Sequence, residues 1–164
     1  MSNYDVRATA LNGLGGTSFS LPAHGAGMRA VAYKRFSFAD LVTAPVQNDV
    51  VYFMTIPAKC RIHSVDVVLI TAEGEAATIS IGDYSDVAGS AVDLDGWLKA
   101  FSINGAAGTG GGTGGNTEAY GAAGGKFYAA EAYMAITLPE NFTHDTAVVD
   151  IFIDITKYFD AESD

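Results

Sequence analysis

The strongest constraint on the fold is an alternation of apolar and polar side chains near the C-terminus, in AVVDIFIDITKYF (residues 147–159). Successive side chains of a strand point to opposite faces of a sheet. One face of this segment carries Val149, Ile151, Ile153 and Ile155, and the other carries Asp150, Asp154 and Thr156. The segment therefore predicts a strand that is buried on one side.

Further apolar or alternating segments predict additional strands. These segments are residues 28–36, 49–56, 61–71, 76–83, 97–103 and 126–138. The alanines of 126–138 also suit a helix, but the alternation of large and small side chains and the closing Pro139 favour a strand. Residues 37–42 offer at most a turn or two of helix. Seven or eight antiparallel strands without alternating helices predict an all-β fold, an antiparallel β-sandwich of the jelly-roll type.

The chain of 164 residues has the length of about one domain. We expect an extended N-terminal arm over residues 1–27, a single β-sandwich domain over 28–160 and an acidic tail over 161–164. Within the domain, residues 104–125 hold ten of the nineteen glycines. A segment of this composition cannot build a core and predicts a long loop.

Charge and composition exclude several classes of function. A formal net charge of −10, with scattered lysines and arginines, disfavours nucleic-acid binding. The sequence shows neither a secretory signal nor an apolar run long enough to span a bilayer, so we expect no membrane association and assembly in a cytoplasm. The single cysteine, Cys60, cannot form an intrachain disulfide and is expected to be a small buried side chain.

The sequence contains no complete motif for catalysis, cofactor binding or metal binding. Gly110, Gly112 and Gly115 match G-x-G-x-x-G, but a strand pattern follows where a dinucleotide site needs a helix. Lys126 is not the lysine of a phosphate loop, because Phe127 stands where Ser or Thr must bind magnesium. The histidines lie far apart, and no serine stands in a nucleophile elbow. The sequence therefore predicts a protein that is not an enzyme.

The acids around DVAGSAVDLDGW allow more than one interpretation. These acids are Asp83, Asp86, Asp93 and Asp95. A weak calcium site stays open, although the order of ligands in an EF-hand loop is missing. Turn chemistry is the leading interpretation, with Asp95 and Gly96 forming a bend between strands. Trp97 would then pack inward, with its N–H satisfied near the rim of the core.

The segment ISIGDYSDVAGSAVDLDGWLKAFSI resembles an element of small structural proteins of tailed-bacteriophage virions: a strand, IGD, an acidic loop, DGW and a second strand. RIHSVDVVLIT after an I-P-A turn, the glycine-rich insertion, YAAEAYMAITLPEN and VVDIFIDITKYF are also similar to those proteins, so the resemblance covers roughly residues 28–160. It implies a sandwich or jelly-roll subunit that decorates or cements the capsid surface, commonly as a trimer. It implies no catalytic residues.

These observations together predict a virion structural protein that binds the outside of a capsid, with the major capsid protein as its partner. We expect a homotrimer that assembles in the bacterial host cytoplasm and stabilises the joints between capsomers. Bare glycine backbone can add hydrogen bonds across a sheet edge or subunit boundary. The predicted contact residues are Tyr4, Arg7, Leu11, Leu14 and Phe19 in the arm, and Gly110, Gly112, Gly115 and Tyr120 in the loop.

The alternative hypothesis is a receptor- or glycan-binding module of a tail fibre or head appendage. In that case Tyr84, Trp97 and Tyr120 would be the platforms on which sugars stack. Sandwich folds host lectins readily, so the predicted fold does not decide between the two hypotheses.

Overall fold

The computed structural model describes residues 3–5, 29–41, 43–87, 91–112, 120, 123–138 and 146–158. The strands in these ranges are β1 (Asn3–Asp5), β2 (Arg29–Ser37), β3 (Val50–Ile56), β4 (Cys60–Thr71), β5 (Thr78–Tyr84), β6 (Ala91–Ser102), β7 (Gly110–Gly112), β8 (Lys126–Tyr128), β9 (Ala132–Thr137) and β10 (Val148–Lys157). A short 3₁₀ helix, Phe38–Asp40, follows β2, as the sequence predicts for residues 37–42.

The strands pair from the two ends of the domain inward. β2 pairs with β10, β3 with β9, β4 with both β7 and β8, and β5 with β6, all antiparallel. Because the pairs are nested, the strands together form one long hairpin. When this hairpin folds over on itself, β10 lies beside β4 and β5 lies beside β9. The result is the jelly roll that the sequence predicts.

Two sheets result from this rolling. The front sheet has the order β1-β3-β9-β5-β6, and the back sheet has the order β2-β10-β4-β7, with β8 also paired to β4. The short strand β1 is parallel to β3, whereas the other pairs are antiparallel. The predicted all-β sandwich is therefore confirmed, and the core lies between the two sheets.

The alternation in β10 places its side chains as the sequence predicts. Val149, Ile151, Ile153 and Ile155 are buried in the core. On the outer face, Asp150 accepts hydrogen bonds from Nε and Nη2 of Arg35 at 2.7 Å each. These charge-assisted bonds connect β10 to β2 on the surface of the back sheet.

The single strand predicted over residues 126–138 is wrong. β8 pairs with β4 in the back sheet, whereas β9 pairs with β3 and β5 in the front sheet. The chain changes sheets between the two strands, and a continuous ladder through residues 129–131 is therefore impossible. Alternation alone cannot show this change, because Tyr128 on β8 and Ala132, Met134 and Ile136 on β9 all pack in the same core.

The predicted loop over residues 104–125 is partly wrong as well. Gly110–Gly112 form β7 and pair with Asp66–Val68 of β4. Glycine has no side chain from which a strand pattern could be recognised. β7 and β8 lie on the same edge of β4 and together take the place of one longer strand.

The bend predicted at Asp95 and Gly96 is also wrong, because both residues lie inside β6. Between the pairs Asp83↔Asp93 and Ile81↔Leu98, β6 has more residues than β5 and forms a bulge. The bulge crosses directly over Gly82, where a Cβ atom would lie 2.0 Å from the Asp93 carbonyl oxygen. Only glycine fits at this position of β5.

The carboxylate of Glu73 closes the end of the ladder between β4 and β10. Its Oε1 accepts a 2.6 Å hydrogen bond from the Thr146 hydroxyl, and its Oε2 accepts a 3.2 Å hydrogen bond from the Ala147 N–H. Burial alone would raise the pKa of Glu73, but these and further backbone hydrogen bonds outweigh it and lower the pKa from its ordinary value of 4.5. The ionised carboxylate therefore stabilises the fold.

We expect Glu73→Gln to lower the free energy of unfolding at neutral pH by about 1–3 kcal/mol, because an amide cannot accept all of these hydrogen bonds. A carboxyl group whose pKa is lowered by folding stabilises above its unfolded pKa, and this stability is lost as the pH falls through the folded pKa. Urea unfolding between neutral pH and pH ~3 should therefore show that the free energy of unfolding falls less steeply with decreasing pH in the variant than in the unmodified protein. Glu75→Gln, which changes an exposed residue of the same turn, is the control. Equal pH profiles for the two variants would contradict this assignment.

Candidate interaction surface

An ion pair between a buried carboxylate and a partly exposed lysine connects the two sheets. Asp83 on β5 is 1% exposed, and its Oδ2 accepts a 2.5 Å hydrogen bond from Lys126 Nζ on β8. Tyr120 Oη donates to Asp83 Oδ1 at 2.9 Å and accepts from Lys126 Nζ at 2.7 Å. We call Asp83, Lys126 and Tyr120 the cross-sheet cluster. Each carboxylate oxygen has a donor, as a buried charge requires.

Aromatic rings surround the cross-sheet cluster. Trp97 is fully buried, and its Nε1 donates to Tyr128 Oη at 3.0 Å. This confirms the predicted inward orientation of Trp97 with a satisfied N–H. Lys126 Nζ lies 4.1 Å from the centre of the Tyr120 ring, which is in turn 5.1 Å from the Trp97 ring. Burial, and after it the nearby Asp83 carboxylate, raises the pKa of both tyrosines.

This geometry changes the interpretation of Tyr120. Its ring packs against Gly96, where a Cβ atom would lie 2.4 Å from Tyr120 Cε2. Because its hydroxyl is held by the cross-sheet cluster, Tyr120 stabilises the fold of its own chain; any contact with another subunit stays a prediction. The proposed sugar-stacking platforms are wrong, because Trp97 is fully buried and Tyr84 is only 1% exposed.

The glycines of β7 also have a role within the chain. Gly110 and Gly112 pair with Val68 and Asp66 of β4. Between them, a Cβ atom at Gly111 would lie 2.4 Å from Cδ2 of Phe101. The strand therefore approaches β6 more closely than a side chain would allow.

The predicted arm contacts are described only in part. Tyr4 lies on β1, opposite Val51 of β3, so the start of the arm adds a strand to the front sheet. The remaining predicted contact residues lie outside the described residues; they are Arg7, Leu11, Leu14, Phe19 and Gly115. The contacts of these residues stay predictions, as does the acidic tail over 161–164.

Sequence reasoning missed an apolar patch at the edge of the front sheet. Val92 is 58% exposed and Leu94 50% exposed on the edge strand β6, and Val87 precedes them in the β5–β6 connection. We call these three residues the β6 edge patch. The alternating acids Asp93 and Asp95 are less exposed than their apolar neighbours. The order VDLDG contains this inversion, but acids beside a glycine are also typical of a turn.

A cavity of ≈ 240 Å³ adjoins the β6 edge patch on the outer face of the front sheet. Its lining includes Val50, Tyr84, Leu94 and Thr137. The hydroxyl of Tyr84 is buried and has no hydrogen-bond partner among the described residues. The cavity and the β6 edge patch together form the candidate interaction surface.

Other reactive side chains have ordinary environments. Cys60 is fully buried, and burial raises the pKa of its thiol to about 11, as expected of a core residue rather than a nucleophile. His63 Nε2 lies 2.9 Å from Thr156 Oγ1, the ordinary hydrogen bond that we expect for a strand histidine. Asp95, one of the acids considered for calcium, pairs with Lys99 at 3.0 Å.

Within the described ranges there is no group of three or more residues able to hold a metal ion. The same ranges contain no helix with the length and apolar character needed to cross a membrane.

The fold is similar to chains from two phage capsids. The first is in the capsid of Ralstonia phage GP4, with a TM-score of 0.61 and 12% identity over 85% of this chain and 90% of that one. The second is in the cyanophage Pam1 capsid asymmetric unit, with a TM-score of 0.54 and 12% identity over 86% of this chain and 94% of that one. No protein-family model and no curated protein matches the sequence. Because the identity is only 12%, this structural similarity shows the fold alone, which is the jelly roll.

We expect Gly111→Ala to destabilise the protein by about 1–3 kcal/mol, because the new methyl group would overpack the site beside Phe101. Gly110→Ala is the matched control on the same strand, since its Cβ atom would lie 3.6 Å from the nearest atom, the Val67 carbonyl oxygen. That control should change stability by less than about 0.5 kcal/mol. Urea denaturation of both variants provides the measurement. Equal losses of stability in the two variants would show that the close approach of β7 to Phe101 does not limit the size of the residue at position 111.

Proposed function

We propose that the protein is a non-enzymatic structural component of a phage virion, which binds the outside of the capsid and stabilises the joints between capsomers. The observation that carries this proposal is the nearly end-to-end similarity of fold to chains in two phage capsids. Because 90% and 94% of those chains are covered, they too consist almost entirely of this sandwich. Assembly in the bacterial host cytoplasm with the major capsid protein as partner is part of the same proposal.

The β6 edge patch supports a role in contact rather than in chemistry. Exposed valine and leucine side chains on an edge strand gain free energy when a partner removes them from water. An edge strand also presents backbone groups that a second chain can pair with. The proposed partner surface is therefore an apolar strip of the capsid floor that lies along β6.

Exposed residues on opposite sheets provide the test of this surface. Leu94→Asp should weaken binding to purified capsids of the phage that encodes the protein by about tenfold or more, because a charge would be buried at the contact. Val31→Asp makes the same change at a residue that is 66% exposed on β2 of the back sheet, and should leave binding unchanged. Co-sedimentation with capsids lacking the native protein measures both.

Two results would each overturn one part of this proposal. The first is equal binding of the Leu94→Asp variant and the unmodified protein, which would exclude the β6 edge patch. The second concerns capsids that lack the protein, which we expect to break at a lower temperature than complete capsids. Equal resistance to heating, with unchanged surface density in electron micrographs, would exclude the cement role.

We also propose that the subunit is a homotrimer. Closed symmetric association covers exposed strand edges without leaving one free for further growth. Native mass spectrometry of the purified chain should give three times the subunit mass. A monomer at micromolar concentration would contradict a stable trimer, but it would leave capsid binding open to the separate test above.

A further inference from the structure

We propose that Lys126 and Asp83 become joined by an intramolecular isopeptide bond between Nζ and Cγ, so that the front and back sheets are covalently crosslinked. This inference does not depend on the proposed function. It rests on the placement of a primary amine against a buried carboxylate between two sheets.

The geometry brings the reacting groups into contact. Lys126 Nζ lies 2.5 Å from Asp83 Oδ2, and Asp83 is 1% exposed. Two contacts orient the amine as well, since Tyr120 Oη accepts from it at 2.7 Å and the Tyr128 ring centre lies 5.2 Å away. Holding two reacting groups in one place converts a bimolecular step into an intramolecular one and removes much of its entropic barrier.

The reaction needs a neutral amine and a neutral carboxylic acid, and transfer of one proton along the 2.5 Å hydrogen bond from Nζ to Oδ2 produces both. The ring centres of Tyr120 and Tyr128 lie 4.1 Å and 5.2 Å from Lys126 Nζ, and the Lys126 side chain is 23% exposed. The neutral amine is the nucleophile, because an ammonium group has no free electron pair.

The atoms balance without an external reagent. One proton moves from Nζ to Asp83 Oδ2, and the nitrogen electron pair then attacks Cγ. The negative charge that develops on Oδ1 is stabilised by the Tyr120 hydroxyl, which already donates to that oxygen at 2.9 Å. A second proton moves from Nζ to Oδ2, the Cγ–Oδ2 bond breaks and water leaves. The third proton stays on the new amide.

Tyr120 is the catalytic residue of this step. Burial, followed by the carboxylates of Asp83 and Asp93, raises the pKa of its hydroxyl, so the proton remains available for donation. Asp93 lies directly across the ladder from Asp83. Tyr120→Phe removes the donor to Oδ1 while keeping the ring, and should slow bond formation by about 10²–10³-fold, as is typical for the loss of one oxyanion donor.

The intact mass of the full-length purified chain, measured under denaturing conditions, decides the proposal. The expected mass is lower than that of the sequence by one water molecule. Lys126→Arg retains a cation but cannot form the bond, and should show its full sequence mass. Asp83→Asn should lose ammonia instead of water, because the leaving group is then an amide nitrogen.

Peptide mapping distinguishes this bond from other dehydrations. Trypsin should release residues 62–99 joined to residues 100–157, since acylated Lys126 is no longer cleaved. The unmodified sequence mass in the wild-type protein, after prolonged incubation at neutral pH, would overturn the proposal. A loss of water confined to peptide 62–99, as in cyclisation at Asp95 and Gly96, would overturn it as well.

Discussion

The buried carboxylate of Asp83 determines how the two sheets are held together. An unpaired carboxylate in the interior costs several kcal/mol, so this position of β5 requires a cation from the opposite sheet. Lys126 provides it, and this fixes β8 against the edge of β4 at the same height as Asp83. Tyr120, in the connection between β7 and β8, completes the set of donors.

The glycines at the front sheet follow from the same close packing. Gly82 precedes Asp83 and leaves room for the bulge of β6, while Gly96 precedes Trp97 and leaves room for the Tyr120 ring. The short elements IGD and DGW, on which the resemblance to phage virion proteins rests, thus have a physical meaning. In each, glycine allows close approach and the next residue points into the core.

Much of the fold could be predicted from the sequence, because alternation reports directly which face of a strand is buried. β10 was predicted almost to its ends, and the nested jelly roll follows the order of strands that the sequence indicates. The change of sheet between β8 and β9 does not alter the alternation of side chains. β7 consists of glycine, so it has no side chains from which a strand could be predicted. The acids of β6 were interpreted as turn residues because a bulge and a turn use the same residue types.

The candidate site was harder to predict than the fold. The inward orientation of Trp97 follows from its size and its single polar atom, and is confirmed by the bond to Tyr128. The partner of Asp83 could not be predicted, because Lys126 lies 43 residues away in sequence and meets it only after both sheets have formed. Contacts of this kind depend on the completed topology rather than on local spacing.

The edges of the sandwich differ in a way that bears on where a partner binds. β2, an edge strand of the back sheet, carries Arg29, Lys34 and Arg35, and such charges oppose pairing with other chains. β6, an edge strand of the front sheet, instead exposes Val92 and Leu94 beside a cavity. The proposed partner would bury the apolar surface that Val92, Leu94 and the adjoining cavity form on the front sheet.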